Sequence, residues 1–195
     1  ITPTSRASAA AVNLSRSEAS PASGLLAQDY FSLLGLPEVF GIDQQQLDSA
    51  WRRLQAVVHP DRFSAGTDAQ RRLALQWSTH LNEAYKTLKS PIARATYLLE
   101  RKGHPVEAER NTAMPVAFLE SQMTLRDSLE EAMAVPSEDA RAQACMRIRD
   151  EALAARDASI ARLAALIDVQ ADHAEAVLQV RALHFLEKFL QDLDR

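Results

Sequence analysis

His59 and Asp61 come closest to a reactive pair in this chain of 195 residues. An imidazole beside a carboxylate can act as a general base. No third group that would orient the pair is evident, and the sequence places no serine or cysteine nucleophile beside it. The single cysteine, Cys145, lies on an apolar helical stripe, which favours a packing role over a nucleophilic one. The sequence therefore gives little support to an enzyme.

Metal, nucleic-acid and membrane sites are disfavoured as well. The five histidines show no spacing of four residues, so no two of them share one turn of a helical face. One cysteine provides neither a thiolate zinc site nor a disulfide framework. The formal net charge of −4 lacks the basic footprint of nucleic-acid binding. No apolar run approaches the ~20 residues of a membrane span. We therefore expect no metal, no cofactor, no nucleic acid and no membrane as partners.

Two helices must position His59 and Asp61, because Pro60 separates two stretches of helical periodicity. Pro60 lacks an N–H and pushes His59 toward extended geometry, so a helix capped by Asp43 should stop near Val58. Both stretches carry apolar residues at i, i+3, i+4 and i+7 spacing, and a short connection predicts an antiparallel hairpin with Asp61 at its tip. The stripes are Leu47, Ala50, Trp51, Leu54, Val57 and Val58, then Leu73, Trp77, Leu81, Ala84, Tyr85 and Leu88.

The corner has two readings from the residues alone. As a contact device, Asp61 offers two acceptor oxygens to an arginine fork on another protein. Arg52, Arg53 and Arg62 would surround this acid with a basic surface that attracts an acidic partner. Alternatively, His59-Pro60-Asp61 is only a proline-containing turn with solvated charges, and the tripeptide by itself favours this second reading.

The remaining segments predict further helices. Residues 1–27 are rich in Ser and Ala without an apolar stripe, so we expect a disordered tail. Asp29 is predicted to cap a short helix that reaches Leu36. Ser90-Pro91 starts another helix, since proline suits the first helical position.

The C-terminal part predicts a three-helix bundle, which makes the fold class all-α. Glycine, proline and polar residues mark a linker over 103–111 and a second domain over 112–195. Its helices are expected over 116–134, 137–167 and 172–193, joined by short links. The second helix is predicted to carry on roughly one face Ala144, Ile148, Ala152, Ala155, Ser159, Leu163 and Leu166.

The order of these motifs resembles the J-domain of DnaJ-type co-chaperones, and further motifs are similar to the HscB family of iron–sulfur co-chaperones. The resemblance covers residue 29 to the C-terminus. In the first domain it rests on Tyr30-Phe31, Leu34-Gly35-Leu36-Pro37, His59-Pro60-Asp61, Asn82-Glu83-Ala84-Tyr85, Ser90-Pro91, Arg94-Ala95 and Tyr97-Leu98-Leu99. In the second domain it rests on Phe118-Leu119, Gln122-Met123, Leu125-Arg126-Asp127 and Phe185-Leu186.

The resemblance implies an L-shaped protein with a J-domain over 28–102 and a scaffold-binding bundle. In this family the His-Pro-Asp corner and the basic helix before it engage the DnaK-type chaperone HscA, or its mitochondrial counterpart, and stimulate its ATPase. The chaperone-binding residues implied here are His59, Pro60, Asp61, Arg52, Arg53 and Arg62. Arg62 stands where the family often has lysine, which keeps the charge but alters the contact geometry. The family itself does not hydrolyse ATP and, in bacteria, binds no cluster.

The resemblance also implies a scaffold-binding face for the protein IscU. On the residues alone, Leu119 and Met123 lie outside the main apolar stripe of their helix, so they either form a partner-binding face or widen the core. The implied scaffold-binding set is Leu119, Met123, Arg126, Asp127, Glu131 and Phe185. Glu120 and Thr124 depart from the family pattern, in which many members have Met and Glu at these positions.

Three functions remain open at this point. The first is a co-chaperone that delivers IscU to HscA and promotes maturation of iron–sulfur proteins. The second is a general J-domain co-chaperone with another client, and the third is a helical adaptor without catalysis. Cysteine usage fits a reducing compartment. Because the chain lacks an N-terminal cysteine-rich module, we expect the bacterial cytoplasm rather than the mitochondrial matrix.

Overall fold

A computed structural model describes residues 28–107 and 114–194, and these ranges are helical without any strand. The predicted tail over 1–27 and the end of the predicted linker lie outside the described residues. The all-α prediction is confirmed. Within the described ranges the elements are α1 Tyr30–Leu34, α2 Gln44–Val58, a 3-10 turn Pro60–Phe63, α3 Asp68–Lys89, α4 Pro91–Arg101, α5 Val116–Met133, α6 Glu138–Ala164, a π-helical segment Ala165–Gln170 and α7 His173–Leu193.

Polar side chains start the first helices as predicted. The Asp29 carboxylate accepts hydrogen bonds from the amides at the start of α1, and Asp43 does the same for α2. Thr67 and Gln70 form a reciprocal capping box at the start of α3. The prediction that the first helix reaches Leu36 is wrong, because Gly35 adopts left-handed geometry with φ of 66° and ends the helix.

Cross-helix contacts show that α2 and α3 form an antiparallel hairpin. The Tyr85 hydroxyl donates to the Asp48 carboxylate at 2.9 Å, and the Trp51 indole N–H donates to the Asn82 side chain at 3.1 Å. From the first pair to the second, the residue number increases along α2 and decreases along α3, as expected for two antiparallel helices. The Trp51 ring stacks on Tyr85 with centroids 4.7 Å apart. Trp77 is buried as predicted, whereas Trp51 is only half-buried.

Helices α1 and α4 close the hairpin domain. Phe31 and Leu34 of α1 are almost fully buried. The Tyr30 amide donates to the Tyr97 hydroxyl at 3.1 Å, and the two rings stack at 4.5 Å. Aromatic stacking and apolar burial together fix α1 on α4.

Helices α5, α6 and α7 form the C-terminal bundle. One end of this bundle has a small core of its own, built from Ala132, Ile148, Ala152, Phe189 and Leu190. Cys145 is half-buried against this core, in agreement with the predicted packing role. Ala155 is exposed, so the predicted face of α6 is not buried at this position. Its side chain lies at the edge of the α6 stripe, on a helix whose buried centre follows Ala152 and Leu163.

The other end of the bundle shares one apolar core with the hairpin domain. The bundle residues in this shared core are Leu163, Leu166, Ile167, Ala176, Val180 and Leu183. Val106, inside the predicted linker, is also buried in it, and its carbonyl accepts a hydrogen bond from Arg181 Nε at 2.9 Å. The domains are therefore packed against each other through α4, the π-helical segment and α7.

Candidate partner-binding sites

The His-Pro-Asp corner is exposed at the tip of the hairpin, as the sequence predicts. His59 has φ of −58° and ψ of 128°, so α2 ends at Val58, and the next four residues form the 3-10 turn. The side chain of Asp61 is 89% exposed and that of His59 is 47% exposed. The carboxylate is thus open to a partner.

Hydrogen bonds inside the corner fix its backbone. His59 Nδ1 accepts a hydrogen bond from the Asp61 amide, and Nδ1 lies 3.5 Å from Asp61 Oδ2. Arg62 Nη1 donates to the Ala56 carbonyl at 2.8 Å, which ties the turn back to α2. The guanidinium of Arg62 therefore supports the turn as well as adding positive charge.

The α2 surface beside the corner is basic. Arg52 and Arg53 are exposed on the side of α2 away from its buried stripe. Among the described residues, no carboxylate lies within ion-pair distance of either guanidinium. Their charges are thus available to an acidic partner.

Exposed apolar side chains on α5 form a second surface, which we call the α5 face: Val116, Leu119 and Met123. Leu119 is 45% exposed and Met123 64% exposed. Arg126 and Asp127 are exposed next to them. Sequence reasoning missed Val116, which is 70% exposed. Val116 precedes Leu119 by three residues and Met123 by seven, so the three side chains lie within about 60° of one another around the helix. This spacing is the signal that could have identified Val116.

The structure places Phe185 and Glu131 at opposite margins of the α5 face. The Phe185 ring is half-buried, with the Arg126 guanidinium 5.5 Å from its centroid and the Phe118 ring edge-on at 6.0 Å. Glu131 lies in a groove between α5 and α6 beside Arg147 and Glu151. It sits about 120° around the helix from Leu119. Of the predicted set, Leu119 and Met123 lie within the α5 face, and Arg126 and Asp127 lie at its rim.

Similarity to known proteins covers nearly all of the described chain. A co-chaperone protein HscB homologue from Bordetella avium is 46% identical over 169 residues, which is 87% of this chain and 97% of that protein. The homologue from Burkholderia multivorans is 45% identical over 168 residues, 86% of this chain and 93% of that protein. The chain belongs to the HscB family of co-chaperones.

Other comparisons agree with this membership. Residues 114–194 match the family model described as the HSCB C-terminal oligomerisation domain. Chaperone HscB from Vibrio cholerae has a TM-score of 0.75 and 32% identity, covering 86% of this chain and 96% of that one. Human co-chaperone HscB has a TM-score of 0.78 and 26% identity, covering 86% of this chain and 81% of that one.

HscB membership confirms the resemblance and the fold class. The hairpin domain is the J-domain, and α5 to α7 form the C-terminal helical bundle. The family acts in iron–sulfur cluster biogenesis, and its homologues are named as co-chaperones, which is not an enzymatic role.

Over 28–107 and 114–194, no cluster of three or more His, Cys, Asp or Glu side chains could hold a metal ion. Within the same ranges, no helix combines the length and apolar character required to cross a membrane.

Proposed function

We propose that this HscB co-chaperone binds the iron–sulfur scaffold IscU, delivers it to the DnaK-type chaperone HscA, and stimulates the ATPase of that chaperone. The proposal rests chiefly on the two exposed surfaces, one in each domain. The corner at Asp61 belongs to the J-domain, and the α5 face belongs to the bundle. Two separate surfaces allow one chain to hold both partners at once.

At the chaperone end, the exposed Asp61 carboxylate supports a contact with an arginine fork. Charge-assisted hydrogen bonds of that kind are short, strong and specific in geometry. The free guanidinium groups of Arg52 and Arg53 add attraction to an acidic surface on HscA. Asp61 then acts by contact on the nucleotide site of the chaperone and performs no chemistry itself.

At the scaffold end, Leu119 and Met123 supply the apolar centre of a protein interface. Exposed apolar side chains with a polar rim are typical of such interfaces. The rim here contains Arg126 and Asp127, and Glu120 is exposed on the same helix. Phe185 contributes a half-buried ring whose face lies beneath the guanidinium of Arg126.

A J-domain co-chaperone for another client remains the second candidate function. Glu120 and Thr124 on α5 depart from the residues that the HscB family usually has at these two positions. Both residues are exposed, and the Thr124 hydroxyl donates to the Glu120 carbonyl. A charged Glu120 close to the apolar centre would suit a client with a basic group opposite it.

Two measurements with purified proteins test the proposal. Calorimetry determines whether the chain binds IscU, and a single-turnover assay determines whether it accelerates ATP hydrolysis by HscA. We expect both. Acceleration of ATP hydrolysis without IscU binding would favour a co-chaperone for another client. If the chain neither binds IscU nor accelerates hydrolysis, a helical adaptor is the remaining candidate.

Cellular setting and domain limits complete the proposal. We place the protein in the bacterial cytoplasm, in keeping with its bacterial relatives. The limits are a J-domain over 28–102, a linker over 103–111 and a bundle over 112–195. Limited proteolysis at the linker would test these limits.

A further inference from the structure

The carboxylate of Asp168 joins the two domains. It lies in the π-helical segment after α6 and accepts hydrogen bonds from two consecutive amides of the loop between α1 and α2. The Phe40 amide donates to Oδ1 at 2.7 Å, and the Gly41 amide donates to Oδ2 at 2.8 Å. Both oxygens of one bundle side chain are thus used by the J-domain backbone.

The loop is shaped closely around this carboxylate. Successive backbone N–H groups that point to one place form a concave anion site. A Cβ atom on Gly41 would lie 3.3 Å from Asp168 Oδ2, which is tighter than an ordinary contact. The absence of a side chain at Gly41 therefore permits the close approach.

A buried cation lies behind the same loop. Arg94 is 5% exposed, its guanidinium is 4.8 Å from the Phe40 ring, and it donates to the Leu88 carbonyl. Burial lowers the pKa of Arg94, and the negative charge of Asp168 acts in the opposite direction. Asp168 therefore also offsets the cost of burying this cation.

The apolar contacts between the domains restrict the angle between them less than the hydrogen bonds of Asp168 do. Hydrophobic attraction is non-directional, so Leu163, Ile167 and Leu183 hold the domains together without selecting one rotation. Charge-assisted hydrogen bonds depend on both distance and angle. The π-helical segment shifts the helical register after Ala164, and it is in this segment that Asp168 reaches the loop.

We propose that Asp168 is a positioning residue that fixes the orientation of the C-terminal bundle relative to the J-domain. The effect of this fixed orientation on activity rests on the function proposed above. A client held on the α5 face and a chaperone held at Asp61 would meet in one fixed geometry only while this clamp is intact. Asp168 itself touches neither partner.

A distance measurement tests the orientation without reference to function. Spin labels on Gln76→Cys in α3 and Ala154→Cys in α6, in a Cys145→Ala background, report the separation of the domains. We expect one narrow distribution in the parent chain and a broader or shifted one with Asp168→Ala. Asp168→Asn keeps one acceptor oxygen, so it should give an intermediate width. Asp157→Ala is the control, because within the described part of the chain that carboxylate forms its hydrogen bonds and ion pair with its neighbour Arg156.

Equal distributions for the parent and Asp168→Ala would overturn the proposal, provided that circular dichroism shows both to be folded. An ATPase assay tests the consequence. Asp168→Ala should leave IscU affinity and stimulation of HscA without IscU within about twofold, but should reduce the additional stimulation by IscU by about fivefold or more. Unchanged additional stimulation would overturn the coupling role. If the parent chain neither binds IscU nor stimulates HscA, the proposed function fails, while the distance measurement still decides the clamp.

Discussion

The imidazole of His59 accepts a hydrogen bond at Nδ1 from the backbone amide of Asp61, 3.3 Å away. In the neutral ring this leaves the proton on Nε2, where it can be donated to a partner. The side chain of His59 thereby caps the 3-10 turn whose first residues present the Asp61 carboxylate. The histidine and the acid have different tasks, since one holds the turn and the other is free to make contact.

Asp61→Asn should abolish stimulation of the HscA ATPase. The change removes the negative charge that an arginine fork would bind, yet the carboxylate is almost fully exposed, so the free energy of unfolding should change by less than about 0.5 kcal/mol. A single-turnover ATPase assay and a urea unfolding curve measure the two effects. Asp68→Asn, also exposed and nearby in sequence, is the matched control and should keep stimulation. Full activity in Asp61→Asn would refute the contact mechanism.

Leu119→Ala combined with Met123→Ala should weaken IscU binding by about tenfold or more. Each truncation removes apolar area from the centre of the α5 face, where interface residues contribute most. Because both side chains are largely exposed in the free chain, the loss of stability should be smaller than the loss of binding free energy. Calorimetry measures the affinity. The control is Leu75→Ala, which truncates a leucine that is 59% exposed in the J-domain and should bind IscU normally. An unaltered affinity in the double variant would reject this face.

Local chemistry made much of the J-domain predictable. Asp43 and the Ser90-Pro91 pair start helices through their own backbone neighbours, and Pro60 ends one without help from distant residues. The exposure of Asp61 follows from the same local rule. Leu119 and Met123 were found because their spacing sets them outside the stripe of their helix.

Contacts between distant residues were not predictable. Val106 is buried in the core that the two domains share, and its carbonyl accepts a hydrogen bond from Arg181, 75 residues away. Asp168 meets a loop 127 and 128 residues earlier, and no periodicity signals that pairing. The exposure of Ala155 was not predictable either, because alanine is tolerated both inside and outside a bundle.

The charge of Asp29 should stabilise the fold only above acidic pH. Partial burial alone would raise its pKa, but hydrogen bonds from Ser32 and Phe31 and the charge of Arg101 lower it below the ordinary 3.8. Since the folded state then holds the proton less tightly than the unfolded chain, the stabilisation is present above the ordinary pKa. It is lost as the pH falls through the folded pKa.

Asp29→Asn tests this, because asparagine still caps a helix but carries no charge. Near neutral pH the variant should be less stable by at most about 1 kcal/mol, which is the usual size of a charge effect at a helix N-terminus. Urea unfolding at an acidic pH that lies below the folded pKa of Asp29 should bring the two curves together. If the free energies of unfolding of the parent chain and the variant differ by the same amount at both pH values, the charge of Asp29 has no role.

Leu183→Ala should destabilise the J-domain although Leu183 belongs to the bundle. Its side chain is fully buried in the core that the two domains share, so truncation should lower the free energy of unfolding by about 2–5 kcal/mol. Both tryptophans of the chain, Trp51 and Trp77, lie in the hairpin, so their fluorescence reports J-domain unfolding. We expect the fluorescence-detected urea midpoint to fall together with the midpoint from circular dichroism.

Ile148→Ala is the matched control for Leu183→Ala, because Ile148 is buried in the separate core at the other end of the bundle. It should lower the midpoint detected by circular dichroism more than the midpoint detected by fluorescence. If Leu183→Ala behaves like Ile148→Ala, with tryptophan fluorescence unmoved while helicity is lost, the two domains unfold independently. The shared core would then contribute nothing to the stability of the J-domain, despite the burial of Leu183 within it.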